Sequence, residues 1–248
     1  MTGPAKATAQ DVQRGLRRLA DDTIAQHSQG FFKTGKGEYG EGDRFLGIRV
    51  PVIRKQARQF SAMPLNEAGQ LLRSPWHEER LCALFILVEK YRKADAPARK
   101  SIFRLYKSNL KHINNWDLVD SSAHQIVGAY LEDKDRALLY EFAQSNNLWK
   151  RRIAMVATCH YIKKGDLRDT LRIAEILLPD REDLIHKAAG WMLREVGKQD
   201  TAALKAFLRK HCRAMPRTML RYAIERFPEP ERKKYLAGTP SHKGATAP

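Results

Sequence analysis

Cysteine is scarce in this chain. Three in 248 residues (Cys82, Cys159 and Cys212), odd in number and far apart, exclude a disulfide framework and fit a reducing compartment. Long apolar runs are missing too. The longest, such as CALFILV from Cys82, fall well short of the roughly 20 residues a membrane-spanning helix needs. The opening MTGPAKATAQDVQRG lacks the apolar core of a secretion signal, so a soluble cytoplasmic protein is expected. Strand-like alternation is nearly absent. No C-x-x-C or H-E-x-x-H spacing occurs among the cysteines and the eight scattered histidines, so nothing points to a metal. No nucleophile elbow is present. Acidic residues are also in deficit: 28 Asp and Glu stand against 45 Lys and Arg, leaving a formal net charge of +17.

That charge is the first positive clue. Residues 205–235 carry ten basic and three acidic side chains. An excess of this size suits a polyanionic partner, the alternative being a solvated basic face. No segment shows the apolar face of an interfacial helix, so a membrane surface is not expected.

Helical periodicity fills most of the rest. DVQRGLRRLADDTIAQH reads as one helix opening on an Asp cap. Others are expected at about 51–60, 65–73, 76–92, 96–110, 115–131, 134–145, 148–164, 167–178, 181–198, 201–211 and 217–227. Similar segments begin near Trp76, Trp116, Trp149, Asp183 and Arg217, at steps of about 33–40 residues, the range of HEAT-like helical repeats. The expected fold is all-α: an α–α superhelix, or solenoid, with a concave basic groove, forming a single domain over 10–237 between disordered tails at 1–9 and 238–248. The Gly-dense FFKTGKGEYGEGDRFLGI (Phe31–Ile48) contains a near match to a phosphate-binding loop. Gly37 stands where Ser or Thr is needed and no strand precedes it, so it is read as a loop whose glycines supply positive φ.

NNWDLVDSS, residues 114–122, is the segment that asks for a function. Trp116 and Asp120 are four apart and share a helix face where aliphatic residues would be ordinary. With Trp149, Arg152 and Trp191 in later repeats, they offer a carboxylate, indole faces and a guanidinium. Those groups stabilise a developing cation and hold a phosphate. A structural alternative stands beside this: Asp117 or Asp120 pairing with Arg151 or Arg152 as a ladder between repeats, and the Trps as core. Cys82 and Cys159 lie on apolar faces and read as core thiols.

From Phe45 to Arg226 the chain resembles the AlkD-type family of DNA glycosylases, the HEAT-like-repeat enzymes of alkylation repair. FLGIRVPVIRK, NNWDLVDSS, NLWKRRIA and HKAAGWMLRE resemble that family's FLGI-x-x-P, W-D-x-V-D-S, W-x-x-R-x-A and K-A-I-G-W-x-L-R-E motifs, in the same order. The resemblance implies hydrolysis of the N-glycosidic bond of cationic N3- and N7-alkylpurines in double-stranded DNA by a monomer. It implies no metal or cofactor, and no pocket for a flipped base. Carried across, Asp120 matches the catalytic Asp, Trp116 and Trp191 the Trp pair at the lesion-bearing deoxyribose, and Arg152 the DNA-contacting Arg. Arg54 falls at a phosphate-contacting position. Lys187 and Arg194 belong to the last motif and are expected on DNA as well. The family's Tyr falls at Phe31 or Phe32, with Tyr39 of the inserted loop another candidate, and Val50 replaces a small polar contact before the Pro. A non-catalytic module binding nucleic acid or protein is the rival reading. A cytoplasmic location, on the nucleoid if the source is bacterial, follows from a DNA substrate.

Overall fold

The seven-residue apolar run CALFILV dictates where the first core forms. The computed structural model describes residues 7–238. Among these every regular element is helical, apart from an isolated bridge between Arg44 and Trp76. Contacts divide the chain after Lys134 into two units.

The first unit contains α1 (Ala9–Arg17), α2 (Asp22–Phe31), α3 (Val50–Gln59), α4 (Leu65–Leu72), α5 (His77–Lys93), α6 (Ala96–Ser108) and α7 (Trp116–Asp120). A π-helical turn, His124–Gly128, follows α7. Helix α5 is buried on every side from His77 to Val88, because its apolar residues surround the axis instead of lining one face. It packs against α1, α3, α4, α6, α7 and the π turn.

The second unit comprises α8 (Ala137–Ala143), α9 (Leu148–Ala157), α10 (Cys159–Ile162), α11 (Arg168–Ile176), α12 (Asp183–Gln199), α13 (Thr201–His211), α14 (Arg217–Ala223) and α15 (Glu229–Leu236). Here α12 is central, packed on α9, α11, α13 and α14. Gly190 permits the closest of these approaches: a Cβ there would lie 2.5 Å from the Met219 carbonyl oxygen on α14.

Several expected boundaries move, each for a local reason. The helix expected across 11–27 is two. Thr8 and Asp11 form a capping box at the start of α1, so Asp11 is not the cap but its third helical residue. Asp21 breaks the run by accepting from the Ile24 N–H at 2.9 Å and donating its own N–H to the Leu46 carbonyl at 2.9 Å. Thr8 and Ala9, expected in the N-terminal tail, are thus the cap and first residue of α1, and of the expected tails residues 1–6 and 239–248 lie outside the described range. The helix expected at 115–131 is interrupted after Asp120, and that at 148–164 at Thr158, whose hydroxyl donates to the Met155 carbonyl at 2.7 Å. Helix α15 has too few apolar residues to show a period, although Pro228 and Pro230 mark its start. The loop reading of the Gly-dense segment holds, with positive φ at Lys33, Gly37, Gly42 and Gly47. All three cysteines are buried thiols.

Candidate active site

Helix α7 is only five residues long, yet both its ends are fixed by side chains. At its start the buried Asn115 accepts from the Trp116 N–H at 2.8 Å and donates to Asp43 at 3.1 Å. At its end the hydroxyls of Ser121 and Ser122 donate back to the Asp117 and Leu118 carbonyls, one turn earlier. Trp116 and Asp120 occupy the first and last turns, four residues apart and both half-buried. The negative charge of Asp120 is felt by the buried Tyr106 phenol, whose pKa burial raises and Asp120 raises further.

Aromatic rings surround Trp116. Phe32 stacks on it with centroids 5.3 Å apart and planes 20° from parallel, and Phe31 meets it edge-on at 6.0 Å. Phe32 also stacks on Phe45 at 5.0 Å. The residue against the indole is thus Phe32, while Phe31 stays 58% exposed and Tyr39 lies half-buried in the loop.

Beneath these rings lies a polar cluster that the sequence reading missed. The first turn of α5, His77-Glu78-Glu79-Arg80, is buried, and every side chain has partners. Glu78 accepts from the backbone N–H groups of Leu46, Gly47 and Ile48 at 2.9, 2.8 and 3.2 Å. Glu79 accepts from Gln13, Arg17 and Ser74 at 2.8, 3.2 and 2.6 Å. Arg80 donates to Asp43 at 2.6 Å. His77 sits between two carboxylates, Nδ1 3.3 Å from Asp43 and Nε2 2.8 Å from Asp117 on α7. Burial alone would favour neutral imidazole. The Asp117 charge and hydrogen bonds donated to both carboxylates outweigh it and raise His77 to about 9. Burial works against the Asp43 carboxylate as well, but His77, Arg80 and Asn115 hold it down to about 2. A signal was present in the sequence: four consecutive ionisable residues directly before the unbroken apolar run Leu81–Val88.

The cationic candidates of the first unit lie on α3 and α5. Arg54 is exposed, its guanidinium 4.0 Å above the Phe85 ring, and its pKa is lowered by partial burial and by the like charges of Arg58 and Arg92. Arg92 donates to Gln125 at 2.5 Å, and Gln125 in turn donates to the Ser121 carbonyl at 2.9 Å. The three guanidiniums Arg54, Arg58 and Arg92 therefore feel one another, with Glu89 as a local counter-charge 3.0 Å from Arg92, and Arg92 alone is linked through Gln125 to the end of α7.

In the second unit Trp149 is buried and its helix is capped by Asn147. Arg152 is 5% exposed and donates to the Leu184 carbonyl, tying α9 to α12. Lys187, Trp191 and Arg194 follow at helical spacing along α12. Trp191 is half-buried, Lys187 pairs with Asp183 at 2.8 Å, and Arg194 pairs with Glu225. Two of the four residues weighed for a ladder pair elsewhere. Arg151 donates to Asp180 at 2.6 Å, while Asp117 is taken up by His77.

A family model described as DNA alkylation repair enzyme matches residues 12–227, most of the chain. The chain belongs to the DNA alkylation repair enzyme family. No curated protein matches it. Among solved structures, a protein described as a predicted DNA alkylation repair enzyme from Enterococcus faecalis matches with a TM-score of 0.67 at 15% identity, covering 85% of this chain and 98% of that one. AlkD2 from Streptococcus mutans matches at 18% identity with a TM-score of 0.52, over 90% of this chain and all of that one. The fold shared with these proteins is the expected all-α solenoid of helical repeats. For a DNA alkylation repair enzyme, DNA is the substrate class. Among the described residues no group of three or more His, Cys, Asp or Glu side chains is arranged to hold a metal ion, and no helix is long and apolar enough to cross a membrane.

Proposed function

We propose that this DNA alkylation repair enzyme is a glycosylase that hydrolyses the N-glycosidic bond of cationic N3- and N7-alkylpurines in duplex DNA. The observation that carries the reading is α7 itself: a capped, five-residue helix presenting Trp116 and Asp120 from one face. An alkylated purine already bears positive charge, so it departs without a general acid. As the C1′–N bond breaks, its electron pair goes to the base and the sugar gains oxocarbenium character. The Asp120 carboxylate stabilises that cation and orients a water, and the Trp116 indole face adds cation–π attraction. Water adds to C1′, a proton is released, and the products are free alkylpurine and an abasic site. Trp191 as the second indole, Arg152 as a DNA contact, and Lys187, Arg194 and Arg54 as phosphate contacts rest on the motif resemblance. So do the monomeric state and the absence of a flipped-base pocket.

The test is incubation with duplex DNA containing N7-methylguanine or N3-methyladenine, scored for released base and alkali-labile abasic sites. Release above the spontaneous rate, unchanged by saturating EDTA, is expected. No release would favour the non-catalytic binding module, and loss on chelation restored by a divalent ion would overturn the metal-free mechanism.

A further inference from the structure

The proposed reaction uses Trp116 and Asp120 but leaves unexplained why so much buried charge lies behind them. His77 is 1% exposed, and the Glu78, Glu79 and Arg80 that follow it are of types almost never buried this fully unless paired. Its two nitrogens join segments distant in sequence: Nδ1 reaches Asp43 at the end of the Gly-dense loop, and Nε2 reaches Asp117 inside α7. The ring also lies 4.9 Å from Phe32 and 4.6 Å from Phe45, and Phe32 is the ring stacked on Trp116. His77 therefore meets α7 twice, through the Asp117 carboxylate and through the aromatic stack. Asp43 meets it a third time through Asn115, which caps the helix.

We propose that His77, held as an imidazolium between Asp43 and Asp117, is a positioning residue that sets the orientation of α7 and thereby of Trp116 and Asp120. The inference rests on the glycosylase reading only where it concerns rate. The charged groups facing the ring are Asp43 from the loop, Asp117 from α7 and Arg80 from its own helix. Two carboxylates against one guanidinium favour the protonated ring, and both nitrogens can then donate. A neutral ring donates from one nitrogen only, so one carboxylate loses its bond. A five-residue helix has too few internal hydrogen bonds to hold its own axis, so the loss is felt at α7.

The experiment uses the full chain labelled with 5-fluorotryptophan, the Trp116 resonance being assigned by its loss in Trp116→Phe. In the unmodified protein that resonance should move with pH, with a midpoint at about 9, and in His77→Gln it should stay flat. Single-turnover excision of N7-methylguanine by His77→Gln at neutral pH should fall about 10-fold, the scale expected when reacting groups are slightly misplaced. Affinity for undamaged duplex should stay within about two-fold, since no phosphate contact is touched. A His77→Gln protein that merely melts earlier, with an unmoved Trp116 resonance and unaltered excision, would overturn the proposal. If His77→Gln does not fold, Asp117→Asn at the more exposed end of the network decides, with the same losses expected. If the unmodified enzyme releases no base, the glycosylase reading fails, while the fluorine spectra still decide whether His77 positions α7.

Discussion

Asp120 can be tested by exchanging one oxygen for nitrogen. Asp120→Asn keeps the shape and removes the charge, so excision should slow by about 10²-fold or more, roughly 3 kcal/mol of transition-state stabilisation. Duplex affinity and melting temperature should be little changed. A purely structural Asp120 would instead lower melting and binding together. Trp116→Phe retains a π face and should cost far less activity than Trp116→Ala. Arg152 obeys a different rule because it is buried. Arg152→Ala removes the buried side-chain tie from α9 to the Leu184 carbonyl of α12 and should cost about 1–3 kcal/mol of stability. If its guanidinium also meets phosphate, the slope of log K against log salt falls by about one unit. Trp116 and Asp120 were legible in the sequence because their spacing and their chemistry point the same way. Glu78 was not, because its partners are three backbone N–H groups some thirty residues earlier, and a backbone N–H leaves no signature in the sequence.

Among the elements, long helices could be read and interruptions could not. The unbroken apolar run for α5 and the apolar period for α12 place both helices within two residues of their observed ends. The breaks at Asp21, Ser121–Ser122 and Thr158 depend on single hydroxyl or carboxylate bonds to the backbone, which the same residues also make harmlessly inside helices. Gly47 shows how tightly the loop before α3 is seated. Its φ is +80°, and a Cβ would lie 1.9 Å from the Asp21 carbonyl oxygen. Gly47→Ala combines a backbone conformation unsuited to alanine with a clash against backbone, so a loss of more than about 2 kcal/mol is expected in denaturant titration. Wild-type stability in that variant would mean the loop is not seated against α2 as described.

For the molecule as a whole, pH is the revealing variable. His77 is raised from 6.5 to about 9, so its contribution is complete below 6.5 and lost as pH rises through 9. Asp43 is lowered from 3.8 to about 2, so its contribution is present above 3.8 and lost as pH falls towards 2. The melting temperature should therefore decline on the alkaline side between these His77 values, and His77→Gln should flatten that limb. The buried first turn of α5 also bears on how the chain comes apart. In a simple helical stack each repeat leans only on its neighbours, so unfolding frays inward from an end. Here, lifting residues 46–48 alone strips Glu78 of its three backbone donors, and moving the loop at Asp43 takes the carboxylate from Arg80 and one of two from His77. Each partial opening leaves a charge without its counterpart inside apolar surroundings, which makes it costlier than release of the whole unit. The first unit should exchange its amide protons in one cooperative step, with Leu46, Gly47 and Ile48 as slow as the centre of α5 despite lying in a loop.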